Sequence, residues 1–274
     1  MNHRLGIRPN HVLVALTALA VATLAGCSST SGGDQPGNEG GVTTPAATSA
    51  ATASAEETTS AQVVPLGLNA DGLLGGNATV TDFDAGEQGV VSTVDVGQFD
   101  AGSGTLPFVF RNNTSEAISH VNASATVRDA GGALTATGSS QGTVPAQIPP
   151  GGLGLAYIFL EQGEVPDGAT FEYTFDTSPA DTSSYNTGDL QVTEASATDD
   201  GVIGTATNQT DATLTGPYSA DVYCFDESGT LLSHTRGFAN EMNDVPPAGT
   251  VSFSTSFYGD ECPTFLTGVT GYFS

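Results

Sequence analysis

The sequence predicts an all-β protein whose folded part consists of two tandem β-sandwich domains. Three observations point to this class: short runs of strand-forming residues between turn residues, an internal repeat of turn motifs, and the lack of any convincing helical segment of ten residues or more. At 274 residues, the chain has room for two small domains beside its targeting and linker segments.

Nine short segments alternate apolar with polar residues and are bounded by Gly, Asn, Asp or Pro, which is typical of strands with one buried face. The aromatic residues of 171–175 (FEYTF) fall two apart, so we expect them on one face of a strand, towards the core. The nine segments are 90–96, 107–110, 121–127, 153–160, 170–175, 201–206, 220–225, 251–257 and 265–273.

An internal repeat indicates that the folded part is a duplicated module. Residues 128–134 (RDAGGAL) match 225–231 (FDESGTL), and 148–152 (IPPGG) match 245–249 (VPPAG), both at an offset of 97; 113–116 (NTSE) match 208–211 (NQTD) at an offset of 95. Asp-x-x-Gly favours a hairpin turn in which Gly takes a positive φ, and Pro-Pro-x-Gly extends the chain and then turns it. We therefore expect one domain over 63–180 and a second over 189–274.

A family resemblance rests on 201–211 (GVIGTATNQTD) followed by 223–229 (YCFDESG). This arrangement resembles the FxLxYC-type, immunoglobulin-like domains of bacterial envelope proteins; it covers 189–274 and, more weakly, 92–177. The resemblance implies two immunoglobulin-like β-sandwiches in a non-catalytic protein, and it transfers no active-site residue.

The N-terminus has the features of a lipoprotein signal peptide over residues 1–26. Arg4 and Arg8 precede an apolar run of about 13 residues, which is shorter than the roughly 20 needed to cross a bilayer as a helix. The run ends in LAGC (24–27), which resembles a lipobox, so we expect a diacylglyceryl group on Cys27; the alternative is an ordinary secretory signal. Residues 27–62 carry that cysteine and a linker rich in Ser, Thr, Gly, Ala and Pro, which predicts a disordered tether.

The charge balance excludes one class of partner. The chain has 30 acidic residues against 5 basic ones, and removal of Arg4 and Arg8 leaves 3 − 30 = −27. Nucleic-acid binding requires clustered Lys and Arg, so we expect no nucleic-acid partner. The acidity fits either a soluble surface or a salt-rich habitat.

Cys224 and Cys262 remain once Cys27 is assigned to lipid. Since two cysteines outside the cytoplasm usually pair, we expect a disulfide between them; two inert thiols or a metal pair are the alternatives. Neither belongs to a CxxC motif, and we expect no metal site and no cofactor.

Catalytic motifs are missing from the sequence. His120 and His234 are expected in surface loops, and no GxSxG, HExxH or Cys-His framework accompanies them. Acidic pairs such as 199–200 and 260–261 are expected to be solvated turns rather than calcium ligands.

We therefore expect a non-catalytic lipoprotein on the extracytoplasmic face of the cell membrane. Its expected role is a binding or structural module that contacts another envelope protein or a cell-wall polymer. The first alternative is a solute-binding lipoprotein, which requires a pocket at the domain junction near 177–189. The second is an envelope hydrolase, which requires a pocket holding two acids or a histidine.

Overall fold

A computed structural model describes residues 73–75 and 83–274, and all of them belong to one compact unit. The predicted signal peptide (1–26), the lipidation site Cys27 and the linker (27–62) lie outside the described residues. Within the described part of the chain, no helix has the length and apolarity needed to cross a bilayer.

The regular secondary structure of the described residues consists of antiparallel strands without a helix, which confirms the all-β class. The strands are β1 (Leu74–Gly75), β2 (Val91–Val96), β3 (Thr105–Asn112), β4 (Ile118–Arg128), β5 (Leu134–Val144), β6 (Leu153–Gly163), β7 (Thr170–Pro179), β8 (Thr187–Ala197), β9 (Val202–Thr207), β10 (Leu214–Phe225), β11 (Leu231–Ala239), β12 (Thr250–Ser254) and β13 (Thr264–Phe273).

The strands form two sheets that repeat the same order. The first is β2-β3-β6-β5-β4-β7, and the second is β8-β9-β12-β11-β10-β13, with β1 added beside β13. In the second sheet, β13 also pairs with β8, so its six long strands close into a barrel. The first sheet has no corresponding pairing between β7 and β2 and remains an open half-barrel.

The repeated turn chemistry appears as two matching hydrogen-bond networks. The buried Asn112 amide donates to the carbonyls of Glu116 and Ile148, and its oxygen accepts from the backbone N–H of Thr114. The second sheet repeats this network: the Asn208 amide donates to the carbonyls of Ala212 and Val245, and its oxygen accepts from the backbone N–H of Thr210. Each asparagine therefore ties the turn after one strand to the Pro-Pro-x-Gly segment.

These networks correct one detail of the predicted repeat. Asn208 corresponds to Asn112 and not to Asn113, so the upstream offset is 96 rather than 95. The offset becomes 97 at the hairpins, where the Asp129 carboxylate accepts from Gly131 N–H and the Asp226 carboxylate accepts from Ser228 N–H. The extra residue lies in β10, which has 12 residues where β4 has 11.

Four strands lie outside the nine predicted segments: β1, β5, β8 and β11. Of these, β5 and β8 are rich in Thr, Ser, Gly and Gln and lack the apolar runs on which the prediction rested. They are held as strands by neighbours on both edges, because β5 pairs with β4 and β6, and β8 pairs with β9 and β13. Ladder pairing overrides weak local propensity here.

The N-terminal part of the predicted first domain (63–180) contacts the second sheet. Strand β1 pairs with β13 through Leu74 and Thr267, and Leu73 beside it is buried.

Candidate functional site at the junction of the two sheets

An apolar cluster joins the outer surfaces of the two sheets. The half-barrel contributes buried residues from β3, β5 and β6, and the barrel contributes buried residues from β10, β11 and β13, while Leu73 and Phe83 fill the space between. The backbone approach is close, since a Cβ added at Gly268 would overlap the Val144 side chain. The remaining members of the cluster are Val109, Leu153, Leu155, Tyr223, Phe225, Leu231 and Leu266.

A carboxylate with an arginine and a histidine partner lies beside this apolar cluster. Asp221 on β10 has a side chain only 2% exposed, and its Oδ1 accepts hydrogen bonds from Arg236 Nε at 2.8 Å and lies 2.7 Å from His234 Nε2. Its Oδ2 accepts from the Ser219 hydroxyl at 3.1 Å. Strands β10 and β11 bring these residues together because Asp221 lies directly opposite Arg236 in the ladder.

The Asp221 carboxylate is held in its charged form. Burial alone would raise its pKa, but the interactions with His234 and Arg236 outweigh burial, and the pKa of Asp221 lies below its usual value. Burial also lowers the Arg236 pKa, and the charge of Asp221 more than reverses this effect, so the pKa of Arg236 lies above its usual value. The two groups therefore form an ion pair over a wide pH range.

Aromatic rings from both sheets enclose the His234 imidazole. Tyr157 of the half-barrel stacks on it with ring centroids 4.2 Å apart, and Tyr223 of the barrel lies 4.7 Å away on a tilted plane. Arg236 extends to the half-barrel as well: its Nη2 donates to the Gln141 carbonyl at 3.1 Å, and its guanidinium carbon lies 5.4 Å from the Tyr157 ring centroid. This cluster therefore links the two sheets through stacking and charge.

Besides the cluster around Asp221, a second set of polar contacts, around Asp189, joins the two sheets. The Asp189 carboxylate of β8 accepts from the backbone N–H groups of Ala146 and Gln147 at 2.7 and 3.1 Å. The Gln147 amide in turn donates to the carbonyls of Asp181 and Thr187 at 3.0 Å each. The segment after β5 is thereby fixed to the start of the barrel.

A pocket of about 270 Å³ opens between the Asp221 cluster and the Asp189 contacts. Its volume lies just below the range for small-molecule sites, which is roughly 300–1,000 Å³. The lining is rich in hydroxyl and amide groups, among them Ser219, Thr270, Tyr272, Gln141 and Gln147, and Arg236 forms part of the wall. These groups are suited to hydrogen bonding with a small polar molecule.

Three strand irregularities surround the pocket. The pairing registers shift between Ser119 and Asn122 in β4, between Ser140 and Thr143 in β5, and between Thr215 and Ser219 in β10. Within the first of these bulges, His120 has a positive φ of 48° and lines the pocket. Bulges of this kind redirect side chains and are common beside functional sites.

The pocket holds a histidine and an acid, the groups that the hydrolase alternative requires. Ser119 Oγ lies 2.9 Å from His120 Nδ1 and 2.9 Å from the Pro179 carbonyl oxygen. The Ser119 hydroxyl has one proton, and the Pro179 carbonyl competes with His120 for it. Asp221 is hydrogen-bonded to His234 and Arg236, and among the described residues no hydrogen bond joins it to His120.

The structure confirms some of the predicted site residues and corrects others. Cys27 lies outside the described residues. Cys224 and Cys262 form a disulfide with an S–S distance of 1.98 Å, as predicted, and it links the end of β10 to the turn before β13 in the barrel. His120 is exposed, as expected, but it lies in a bulge of strand β4 and not in a loop. The expected surface loop is wrong for His234, which lies in β11 with a side chain only 5% exposed.

Sequence reasoning missed Asp221, Arg236 and Tyr157, whose interactions join the two sheets. A usable signal was present in 220–225 (ADVYCF), where Asp221 is the one charged residue of an otherwise buried strand and therefore needs a partner. In the described residues no group of three or more His, Cys, Asp or Glu side chains is arranged to hold a metal ion.

No protein-family model matches this chain, and neither does any curated protein sequence.

Proposed function

We propose that this protein is a non-catalytic lipoprotein, anchored through Cys27 to the extracytoplasmic face of the cell membrane, that acts as a binding or structural module. The observation that supports a non-catalytic role is that the charged groups at the junction bind one another. Asp221, His234 and Arg236 satisfy one another inside the contact between the two sheets. Residues arranged in this way hold a scaffold together and leave few groups for acid–base chemistry.

We also propose that each repeat is an immunoglobulin-like sandwich whose two layers belong to one continuous sheet. In the half-barrel, β2-β3-β6 and β5-β4-β7 supply two layers, and β5–β6 pairing connects them. Buried residues of both layers meet in one core, including Phe108, Val127 and Ile158. This two-layered arrangement is the observation that supports the proposed sandwich architecture.

Anchoring is tested by replacing Cys27 with Ala in the full-length protein and measuring how the protein divides between the detergent and aqueous phases of a cell extract. The proposal predicts that the wild-type protein partitions into the detergent phase and that Cys27→Ala is released. Cys224→Ser with Cys262→Ser is the matched control and retains the anchor. A Cys27→Ala protein that stays in the detergent phase would contradict the proposed lipid attachment.

The junction pocket favours a second candidate function, the capture of a small polar solute. Hydroxyl and amide groups line it, and Tyr272, which is 39% exposed, adds an aromatic surface on which a sugar ring can stack. A monosaccharide is the class of ligand that combines these requirements. The solute would lie between the two sheets, in contact with both.

Imidazole NMR signals provide a direct test of this candidate. After the predicted processing, His120 and His234 are the only histidines; the first lines the pocket and the second is enclosed by tyrosine rings. Titration with glucose or N-acetylglucosamine should shift the His120 signals more than the His234 signals, and Tyr272→Ala should weaken the effect. Equal shifts at both histidines, or no shift with any monosaccharide, would count against solute binding.

A further inference from the structure

The half-barrel is open at the position where the corresponding strands of the barrel pair and close it. There, β13 and β8 pair through four residues of each strand, from Val269 with Leu190 to Tyr272 with Thr187. The corresponding strands β7 and β2 have no such register, and among the described residues the outer edge of β7 has no ladder partner. The same strand order therefore leaves β7, ten residues long, with one edge free of ladder pairing, and β2 lies close to β7 without pairing with it.

The inner side chains beside this edge are incompletely covered. Phe171, Tyr173 and Phe175 of β7 are only partly buried, although they pack against the half-barrel core, and Tyr173 lies 5.4 Å from the Phe108 ring. The inward residues Phe265, Val269 and Phe273 of β13 are at most 4% exposed. The open seam thus leaves a row of aromatic rings within reach of an added strand.

Two hydroxyl groups inside the half-barrel lack hydrogen-bond partners. The hydroxyls of Thr93 on β2 and Tyr173 on β7 are buried without a partner in the structure. Buried hydroxyls are normally paired, so each of the two edge strands of this sheet has an unmet hydrogen bond.

The exposed side chains of β7 define the charge of a partner. Glu172 and Asp176 are exposed, and among the described residues Glu172 forms an ion pair, with Arg128 at 3.2 Å, whereas Asp176 forms none. Antiparallel pairing of β7 with a second copy centred on Thr174 would place Glu172 opposite Asp176, and like charges in opposite positions destabilise a ladder. A second copy of this chain is therefore a poor occupant, and a basic strand is a good one.

We propose that the free edge of β7 binds an extended segment of a partner protein whose residues alternate between apolar and basic. The segment adds as a further strand to the half-barrel. Its apolar side chains cover Phe171, Tyr173 and Phe175, and its Lys or Arg side chains face Glu172 and Asp176. Main-chain hydrogen bonds supply affinity, and the alternation supplies specificity.

The test uses the full-length protein in detergent micelles and a synthetic peptide of about nine alternating Lys and Val residues, since strands of this length are common in sheets. Fluorescence anisotropy of the labelled peptide measures binding. We expect Glu172→Lys with Asp176→Lys to weaken binding by about tenfold or more, because opposite charges across the edge become like charges. Glu194→Lys with Asp199→Lys, two exposed acids outside β7, is the matched control and should have a smaller effect.

Hydrogen exchange separates strand addition from general attraction to an acidic protein. Binding of the peptide should slow amide exchange in β7, and a peptide N-methylated at alternate residues should not bind. Equal loss of affinity in the control variant, unchanged exchange in β7, or unimpaired binding of the methylated peptide would overturn the proposal. Sedimentation showing a dimer whose β7 amides are already protected from exchange without the peptide would overturn it in favour of a second copy.

Discussion

At the residue scale, the junction depends on a buried carboxylate. Asp221 lies between His234 and Arg236, so its replacement by Asn removes the charge that compensates Arg236 in a partly buried position. We expect Asp221→Asn to lower the free energy of unfolding by about 3–5 kcal/mol, the range for breaking a buried pair from one side. Urea unfolding measures this change.

An exposed ion pair in the same protein provides the control. Glu172 and Arg128 are largely solvated, with side chains 63% and 38% exposed. Glu172→Gln should change the free energy of unfolding by no more than about 1 kcal/mol. Similar losses for Asp221→Asn and Glu172→Gln would mean that the junction pair contributes no more than a surface pair.

The same carboxylate predicts a pH dependence. Because the pKa of Asp221 is lower in the folded than in the unfolded protein, its stabilising contribution is complete above the unfolded pKa and is lost as the pH falls through the folded pKa. The unfolded pKa is about 4, so the loss occurs in the acid range below it. Urea midpoints measured from pH 7 downwards should fall more steeply for the wild type than for Asp221→Asn, and parallel curves would refute the assignment.

At the element scale, the two asparagine networks should be equivalent. Asn112 and Asn208 are fully buried, and each amide holds two carbonyl groups. Replacing either with Ala leaves buried polar groups without this partner, at a cost of about 1–3 kcal/mol. Urea unfolding of Asn112→Ala and Asn208→Ala should give similar losses, while the exposed Asn240→Ala stays near the wild type; unequal losses would contradict the equivalence.

These elements also show what a sequence can predict. The turns of the repeat were predictable because Asp-x-x-Gly and Pro-Pro-x-Gly act locally, through side-chain hydrogen bonds and restricted φ. The polar strands β5 and β8 were not, because their pairing partners and not their own residues determine them. The contacts at the junction could not be predicted either, because Arg236 and Tyr157 are 79 residues apart and no local pattern joins them.

At the scale of the whole molecule, the apolar cluster between the sheets makes the described part of the chain one compact unit. We therefore expect both repeats to unfold in one cooperative transition, since exposing one sheet exposes buried side chains of the other. Amide exchange in β4 and β10 at rising urea concentration measures this. Loss of protection at two separate concentrations would show that the repeats are independent.

The most direct test of the proposed binding function is photo-crosslinking on intact cells. A photoreactive side chain is placed at Tyr272 in the junction pocket, at Thr174 on the free edge of β7, or at the exposed Glu194 of β8 as a control. The account predicts specific adducts from Tyr272 or Thr174 and none from Glu194. Identical labelling from all three positions, or no adduct from either test position in protein that is folded and present at the cell surface, would contradict a binding role.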